Sequence, residues 1–348
     1  MVNMNMYIRA AGNISPQHSL DPALFFKVRK HTATNYFKVV EPEYEGFVDS
    51  KMIRRMSRIV KMGVASALTC LRSAGIEMPG AIVTATAYGC LEDTSSFLRR
   101  MIEFEETMLS PTAFIQSTHN TVGAQIALIL KCHQYNNTIV HRAFSFENAL
   151  TEAALLLEED MGPLLVGAVD EITDDRHAIL TRFGLYKPTG GISQSFAGNI
   201  AGEGAAFFLL DKDPDHHPVA RIRGLQTLYG PEDQDRVRKF VLDFLQNHGI
   251  TRDQIDLVLS SHTGNAERDE PDRNLLEALF PQKPFFPFKS LCGDYPTASG
   301  FAVWLAALLL REQKQPDWMM SVPFPLNHVL IHHRSGKPHH SLFLISRC

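Results

Sequence analysis

The sequence predicts an α/β fold in which helices cover both faces of a parallel sheet. Short apolar runs alternate with longer helical patterns along the chain, and strands joined by crossover helices require this alternation. The segment AIVTATA at 81–87 is a continuous apolar run, which is typical of a strand buried on both faces. With 348 residues, 45% of them hydrophobic, the chain is long enough to bury a large core.

The other elements follow from local patterns. Residues 51–75 form a helical pattern because apolar side chains recur every three or four positions, and Gly75 follows as a stop. Further elements of the first part are predicted as strands at 6–12, 138–144, 162–171 and 204–212 and as helices at 121–132 and 147–160. The later part is predicted as helices at 236–249, 274–280 and 297–312, a strand at 255–264, and a hairpin of 327–333 with 340–346 around the turn RSGKP.

The order of these elements suggests an internal duplication, since the later part repeats the scheme of the first part more briefly. No low-complexity tract or proline-rich linker interrupts the chain. The polar segment DKDPDHHP at 211–218 suits a seam between the two parts. We therefore expect two halves, 1–213 and 214–348.

Composition excludes several classes of protein. The formal charge of −4 gives no general attraction to nucleic acid or anionic lipid. The five cysteines form no CxxC pair, so neither a disulfide framework nor a zinc knuckle is indicated. The N-terminus lacks the features of a signal peptide, and the most apolar helical run, at 298–310, is shorter than the roughly 20 residues that span a membrane. We expect a soluble, cytoplasmic protein without a membrane span, and no cofactor.

A series of motifs runs along almost the whole chain. They are KMIRRMSRIVKMGVASALTCLRSAGI (51–76), ATAYGCLED (85–93), LSPTAFIQSTHNTVGAQIAL (109–128), TIVHRAFSFENALTEAALLL (138–157), LLVGAVDE (164–171), AGEGAAFFLLD (201–211), LVLSSHTGNAERDEPD (257–272) and FKSLCGDYPTASGFAVWLAALLL (288–310). In order and spacing they resemble the beta-ketoacyl-ACP synthase (condensing-enzyme) family. The resemblance implies a five-layer αβαβα thiolase-like fold of two duplicated halves, usually present as an intimate dimer.

The family's nucleophile is a cysteine at a helix N-terminus, which lowers the pKa of the thiol and offers backbone N–H groups to the oxyanion. Counting back from the helix alanines Ala153 and Ala154, the corresponding position falls on Ala143, whose methyl group cannot form a thioester. A register slip of two would place Ser145 there. Ser145 can equally be read as a helix N-cap, because Glu147 follows two residues later.

The neighbouring positions offer further candidates for the pocket. Phe144 and Phe146 occupy sites where the family prefers small residues, so we expect them to fill the space near the lost thiol, or to serve as ordinary core aromatics. Cys292 is the best surviving thiol for an alternative nucleophile. Asn120 matches a family asparagine near the dimer interface, where we expect it to bind backbone.

The family's two catalytic histidines are half present. His262 matches the first, and Lys289 matches the family lysine, but Asp294 stands at the position of the second histidine. A carboxylate cannot donate a proton to a developing enolate at neutral pH unless its pKa is strongly raised. With the nucleophile also missing, the conventional condensation is not expected.

The family's glycine-rich gating loop is also absent, and HHRSGKPHH stands in its place. Four histidines around this turn raise the possibility of a metal site. Adjacent residues of a strand point to opposite faces, however, and no carboxylate neighbours the histidines in sequence. We therefore expect a solvated hairpin and no metal. The four residues are His332, His333, His339 and His340.

Members of the family without the cysteine are chain-length-factor-like subunits, so the resemblance implies a heterodimer with an active ketosynthase that works with an acyl carrier protein. The divergent, shortened chain is most similar to the condensing-enzyme-like proteins of aryl polyene and flexirubin-type clusters. Two alternatives stay open: an active acyltransferase or hydrolase that uses Ser145 or Cys292, and a scaffold that docks an acyl carrier protein. The basic residues Arg54, Arg55, Arg58 and Lys61 could meet such an acidic partner, or form a solvated helix face.

Overall fold

The computed structural model describes residues 4–30, 36–107, 109–188, 199–230, 233–336 and 338–348. Its helices are α1 (Pro22–Lys27), α2 (Ser50–Ile53), α3 (Arg58–Ala74), α4 (Leu91–Glu103), α5 (Pro111–Gln116), α6 (Thr121–Leu130), α7 (Ser145–Glu158), α8 (Asp174–Arg182), α9 (Gln234–Asn247), α10 (Ala266–Leu279), α11 (Lys289–Cys292) and α12 (Ser299–Glu312). Its strands are β1 (Met6–Ile14), β2 (Tyr36–Phe37), β3 (Ala81–Thr86), β4 (Tyr135–Val140), β5 (Leu164–Asp170), β6 (Ala201–Gly202), β7 (Gly204–Asp211), β8 (Ala220–Tyr229), β9 (Leu257–Ser260), β10 (Phe285–Pro287), β11 (His328–Ser335) and β12 (His339–Ser346).

Ten of the described strands form one mixed sheet, in the order β10-β9-β11-β12-β8-β1-β7-β5-β3-β4. The predicted parallel sheet is in fact mixed, because β7 runs antiparallel to both β1 and β5, and β12 runs antiparallel to both β8 and β11. An apolar run shows that a strand is buried on both faces but carries no information about its direction. The sequence pattern therefore could not separate a mixed sheet from a parallel one.

The sheet contains the same arrangement twice. One set consists of β1, β3, β4, β5 and β7, and the other consists of β8, β9, β10, β11 and β12. When the strands of each set are numbered 1 to 5 in chain order, both sets have the spatial order 3-2-4-5-1. The pairs 3-2 and 2-4 are parallel and the pairs 4-5 and 5-1 antiparallel in each set. The two sets join where β1 pairs with β8. This repetition is consistent with a division at 213/214, which itself stays a prediction.

Three apolar clusters define five layers. The helices α3 and α6 pack on the outer face of the first set of strands. The helices α9 and α10 cover the outer face of the second set. Between the two sets lie α7 and α12, whose side chains form one cluster with both. Every residue of α12 from Ser299 to Leu310 is buried, as expected of a helix enclosed on all sides. The predicted αβαβα arrangement is confirmed.

The helix predicted over 51–75 is divided. It consists of α2 and α3, separated by residues 54–57, where the backbone forms i→i+3 hydrogen bonds from Arg55 to Met52 and from Met56 to Ile53. Arg58, at the start of α3, is held by two hydrogen bonds to buried Glu203, of which the Nη1–Oε2 distance is 2.7 Å. Arg58 is therefore engaged inside the fold and does not belong to a freely available basic face. None of the described helices is both long and apolar enough to cross a bilayer.

Candidate functional site

The centre of the site is an elbow between β4 and α7. After Val140 the chain turns through a short 3₁₀ helix, Arg142–Phe144, into α7. Arg142 adopts φ +48°, a left-handed conformation that is uncommon for a residue with a side chain. The Ser145 hydroxyl closes this turn by accepting from the His141 N–H at 2.8 Å and donating to the Arg142 carbonyl at 2.9 Å. The turn therefore presents Arg142 and Ala143 to a cavity that both residues line.

The side chains at the elbow are those of residues 141–145. Residues 141–144 are His, Arg, Ala and Phe, and none has a thiol or a hydroxyl. Ser145 follows, but its oxygen is fully buried, uses its proton within the turn and lines no described cavity. The interpretation of Ser145 as N-cap is wrong, because Phe144 occupies that position and Ser145 is the first helical residue. The extra 3₁₀ turn shifts the start of the helix by one residue. The assignment of Ala143 to the family's nucleophile position stays a prediction.

The two phenylalanines have different surroundings. Phe144 packs edge-on against His339, with ring centroids 4.9 Å apart, and lies parallel to His141. Phe146 is fully buried in the central layer and contacts the rings of Phe208 and Phe343 at 5.7 Å and 6.4 Å. Phe144 thus packs beside the elbow, whereas Phe146 is a core aromatic between the two sets of strands.

Asp294 faces the elbow cavity as half of a buried ion pair. Its Oδ1 accepts from Lys289 Nζ at 2.7 Å, and its Oδ2 accepts from the Asn199 amide. Lys289 also donates to the Arg334 carbonyl at 2.8 Å. Burial favours the protonated acid, but the Lys289 ammonium and the hydrogen bonds outweigh it and hold the pKa of Asp294 below its usual value. Asp294 is therefore ionised at neutral pH and cannot donate a proton.

His262 lines the same small space as Lys289 and Asp294. Its Nδ1 is 3.1 Å from the Ser260 hydroxyl, and its Nε2 is buried with no hydrogen-bond partner among the described residues. Burial lowers its pKa, so the ring is neutral at pH 7. The following backbone N–H groups, of Thr263 and Gly264, both donate to Asp269 Oδ2. His262 thus has one buried ring nitrogen without a described hydrogen-bond partner.

Three adjoining cavities connect these residues. A cavity of about 250 Å³ lies beside the elbow and is lined by Ala143 and Asp294. A small space of about 30 Å³ joins Asp294 to Lys289 and His262. A larger cavity of about 490 Å³ begins at His262 and Lys289 and continues toward Arg29. The structure therefore brings together four positions that the sequence analysis placed in one site: Ala143, His262, Lys289 and Asp294.

Comparisons with known proteins agree with this geometry. Residues 32–186 match the family model for the beta-ketoacyl synthase N-terminal domain. No curated protein matches the chain in sequence. Solved structures match it over nearly its full length. The chain has the fold of the beta-ketoacyl synthases. The predicted thiolase-like fold and the family resemblance are confirmed.

Three solved structures illustrate the match. A beta-ketoacyl synthase from Burkholderia phymatum STM815 superposes with a TM-score of 0.80 at 14% identity. A type II polyketide ketosynthase bound to a hexaketide, in complex with its acyl-carrier protein, gives 0.78 at 13% identity. The ishigamide ketosynthase/chain length factor gives 0.76 at 16% identity. Each alignment covers 99% of both chains. At such identities the agreement concerns the ketosynthase fold and not the reaction.

Two further predicted residues lie away from the cavities. Cys292 is fully buried, its thiol is directed to the carbonyls of Phe288 and Gly293, and burial raises its pKa. A buried thiol held in this way is a poor nucleophile. Asn120 precedes α6, but its exposed side chain makes no capping bond to the helix. The expectation that Asn120 binds backbone near a dimer interface stays a prediction.

The histidine hairpin is not solvated, and that prediction is wrong. β11 is paired on both sides, by β9 and β12, so its residues lie inside the sheet. His332 and His340 are buried on one face, with 3.2 Å between their ring nitrogens, while His333 is buried on the other. Desolvation lowers the pKa of His332 to about 3 and that of His340 to about 4. Only His339 is partly exposed. No group of three or more potential ligands is placed to hold a metal in the described chain.

The structure also shows polar groups that the sequence analysis missed. Glu147 of α7 and His333 of β11 meet inside the central layer, with 3.4 Å between Oε1 and Nδ1, and Ser341 donates to the same oxygen at 2.9 Å. The left-handed conformation of Arg142 at the elbow was also not predicted from the sequence. The contacts that bury Glu147 come from 186 and 194 residues away in sequence, so no local pattern could have identified them.

Proposed function

We propose that this chain is a non-catalytic, chain-length-factor-like subunit that pairs with an active beta-ketoacyl synthase in type II polyketide, polyene or fatty-acid-like biosynthesis. The observation that supports this proposal most directly is that the elbow residues 141–144 have no thiol or hydroxyl. A condensing enzyme of this fold needs a nucleophile there to accept the acyl group. The ketosynthase/chain length factor and the ketosynthase with its acyl-carrier protein among the similar structures support this class of function.

The rest of the site supports the same conclusion. The second histidine position is filled by Asp294, whose charge is neutralised by Lys289 at 2.7 Å. An ionised carboxylate at that position has no proton to donate to a developing enolate. The loss of the nucleophile and the replacement of a proton donor thus disable both steps of the conventional reaction.

An exposed edge of the sheet supports a protein partner. β4 ends the sheet and is paired only by β3 among the described strands, so its outer N–H and C=O groups are open. Tyr135 and Val140 of this strand are exposed. Leu128 on α6 and Leu155 on α7 are 65% and 47% exposed, and both helices pack on β4. We call these four residues the edge surface. An open strand with apolar neighbours tends to be covered by another chain, and we propose an active ketosynthase subunit as that chain.

Pull-down tests this pairing. The tagged chain is co-expressed with an intact ketosynthase encoded beside it, and we expect recovery of both chains in equal amounts. Leu128→Asp and Leu155→Asp place charges on the edge surface and should abolish recovery of the partner. Leu242→Asp changes a leucine on α9 that is 38% exposed and lies outside the edge surface, and it should leave recovery intact. Equal loss with all three variants, or recovery of no ketosynthase by the parent chain, contradicts the proposed pairing.

Mass spectrometry tests the missing nucleophile. The purified chain is incubated with an acylated carrier protein, with an active ketosynthase as the positive control. We expect no mass increase, because no thiol or hydroxyl at the elbow can form an ester. A stable acyl adduct on the isolated chain would refute the assignment, and Ser145→Ala and Cys292→Ala would then identify its site.

The proposal has further parts: a carrier-protein partner, a cytoplasmic location, an aryl polyene or flexirubin-type cluster, and the halves 1–213 and 214–348.

A further inference from the structure

We propose that the elbow cavity is a binding site for a small anion with carboxylate or phosphate oxygens, held by Arg142, Arg176 and Arg268. In a condensing enzyme an elbow presents a nucleophile, whereas here it presents a guanidinium. The site is a property of this chain alone and stands whether or not the chain pairs with a ketosynthase.

The three arginines converge from separate elements. Arg142 is the left-handed residue of the elbow, Arg176 lies on α8 and Arg268 lies on α10. All three line the cavity of about 250 Å³ beside Asp294. These elements are far apart in sequence, so the fold and not a local run of basic residues creates the cluster.

None of the three guanidinium groups in this cavity forms an ion pair with a described carboxylate, although Arg268 interacts electrostatically with Asp294. Asp294 is the only acidic residue among those that line it within the described chain, and its charge is taken up by Lys289 at 2.7 Å. No described carboxylate lies within 4.0 Å of any of the three guanidinium groups. The nearby carboxylate of Asp170 is influenced by Arg176 but is bound by Thr86, Ala87 and Thr297. Converging like charges repel one another, and a bound anion would remove that repulsion.

The arginines are held in place. The Ser145 hydroxyl, bonded to both sides of the turn, fixes the backbone of Arg142. The Arg176 guanidinium lies 4.3 Å from the centroid of the Tyr88 ring, a cation–π contact that orients it. The backbone N–H of Arg268 donates to the capping side chain of Asn265. Preorganised arginines lose less entropy when they bind an anion, which favours specific binding.

The cavity also limits the ligand. Its volume corresponds to about eight liquid water molecules, which suits a small organic acid or an inorganic anion. Leu180, Tyr295 and Pro338 add apolar wall beside the cationic side. Guanidinium groups bind carboxylate and phosphate oxygens through paired, charge-assisted hydrogen bonds. The two sources of such oxygens are separated by experiment.

Calorimetric titration of the full-length protein tests the site. The ligands are malonate, succinate and inorganic phosphate at constant ionic strength, with neutral succinamide as the uncharged control. We expect saturable binding of at least one anion and none of succinamide. Arg176→Gln and Arg268→Gln should each weaken binding about tenfold or more, since each removes a charge-assisted hydrogen bond. Arg182→Gln changes an exposed arginine of α8 outside the cavity and should leave the affinity unchanged.

The outcomes separate clearly. Binding of malonate or succinate alone identifies a carboxylate site, and binding of phosphate alone identifies a phosphate site; either supports the proposal if Arg176→Gln and Arg268→Gln abolish it. Thermal melts without ligand guard against misfolding: both variants should melt at or above the parent temperature because repulsion is relieved, and Arg176→Lys should retain part of the affinity. Absence of saturable binding, or an equal loss with Arg182→Gln, overturns the site.

Discussion

Substitution of Lys289 by methionine should strongly destabilise the protein. The Lys289 side chain is 1% exposed and that of Asp294 is 16% exposed, with 2.7 Å between Nζ and Oδ1. Lys289→Met leaves the carboxylate buried with only the Asn199 amide as its remaining described side-chain partner. Removal of one member of a buried ion pair costs about 3–5 kcal/mol. At about 2 °C per kcal/mol for a chain of this size, the melting temperature should fall by about 6–10 °C.

The pH dependence of this effect has a definite sign. The folded-state pKa of Asp294 lies below its usual value, so the pair contributes stability above the unfolded-state pKa of about 3.9. That contribution is lost as the pH falls through the lower, folded-state pKa. Lys289→Met should therefore be most destabilising near pH 7, and the difference from the parent should shrink on acidification below about pH 4, where a protonated Asp294 no longer needs an ammonium partner.

Thermal and urea unfolding between pH 3 and pH 7 measure both effects. Lys239→Met is the matched control, because Lys239 pairs with Asp243 at 3.0 Å across one turn of α9 while 76% exposed. Exposed pairs of this kind contribute about 0.3–0.5 kcal/mol. A loss of less than about 1 kcal/mol for Lys289→Met, or a loss that is the same at every pH, would refute the reasoning about a buried, mutually stabilising pair.

Three further predictions concern the elbow, a close backbone contact and the buried histidines. Ser145→Ala should lower the free energy of unfolding by about 1–3 kcal/mol in urea titrations, because it leaves a buried turn N–H without a partner. Gly202→Ala should destabilise the protein by about 1–3 kcal/mol or more in thermal melts, since a Cβ there would lie 2.0 Å from a backbone carbonyl oxygen of the segment that leads to Asp294. In the control variant Gly46→Ala the added Cβ meets nothing within 4 Å, and the stability should change by less than about 0.5 kcal/mol. With pKa values of about 3 for His332 and about 4 for His340, the folded state stays neutral while the unfolded state gains protons below about pH 6.5. Stability should therefore fall from pH 6.5 toward pH 4, and His340→Gln should flatten that slope by about 1.4 kcal/mol per pH unit in urea unfolding.

Each of these predictions has a contrary result. An unchanged stability for Ser145→Ala would mean that the turn does not depend on its hydroxyl. Equal stability of Gly202→Ala and Gly46→Ala would show that the close approach of the segment that leads to Asp294 is not required. A parallel pH profile for parent and His340→Gln would show that His340 is not kept neutral by burial.

Much of the fold could be predicted from local patterns. The buried runs at 81–87 and 204–212 became β3 and β7, and the helical pattern at 297–312 became α12. These elements are specified by hydrophobic periodicity, which local sequence records directly. The motif order also led to the ketosynthase fold, because several weak matches in sequence order constrain the topology together. The hairpin of β11 and β12 was predicted together with its antiparallel pairing, but the directions of strands that pair over long distances in sequence were not, because they depend on which distant strand becomes the neighbour.

The candidate site, like the fold, could be predicted from the sequence only in part. The sequence shows directly that residues 141–144 have no thiol and that position 294 is a carboxylate, so the proposed loss of the nucleophile and of the proton donor needs no coordinates. Burial of the histidine hairpin could not be inferred, because His332 and His333 are enclosed by β9 and α7, which come from distant parts of the chain.

The sequence by itself determined which chemical groups stand at the elbow and which strands and helices surround them. The tertiary structure alone decided what those groups do. It paired Asp294 with Lys289, left a ring nitrogen of His262 without a described hydrogen bond and placed Arg176 and Arg268 beside Arg142 around one cavity. Charge and ionisation depend on distances in space, and side chains from separate elements acquire such distances only when the chain folds.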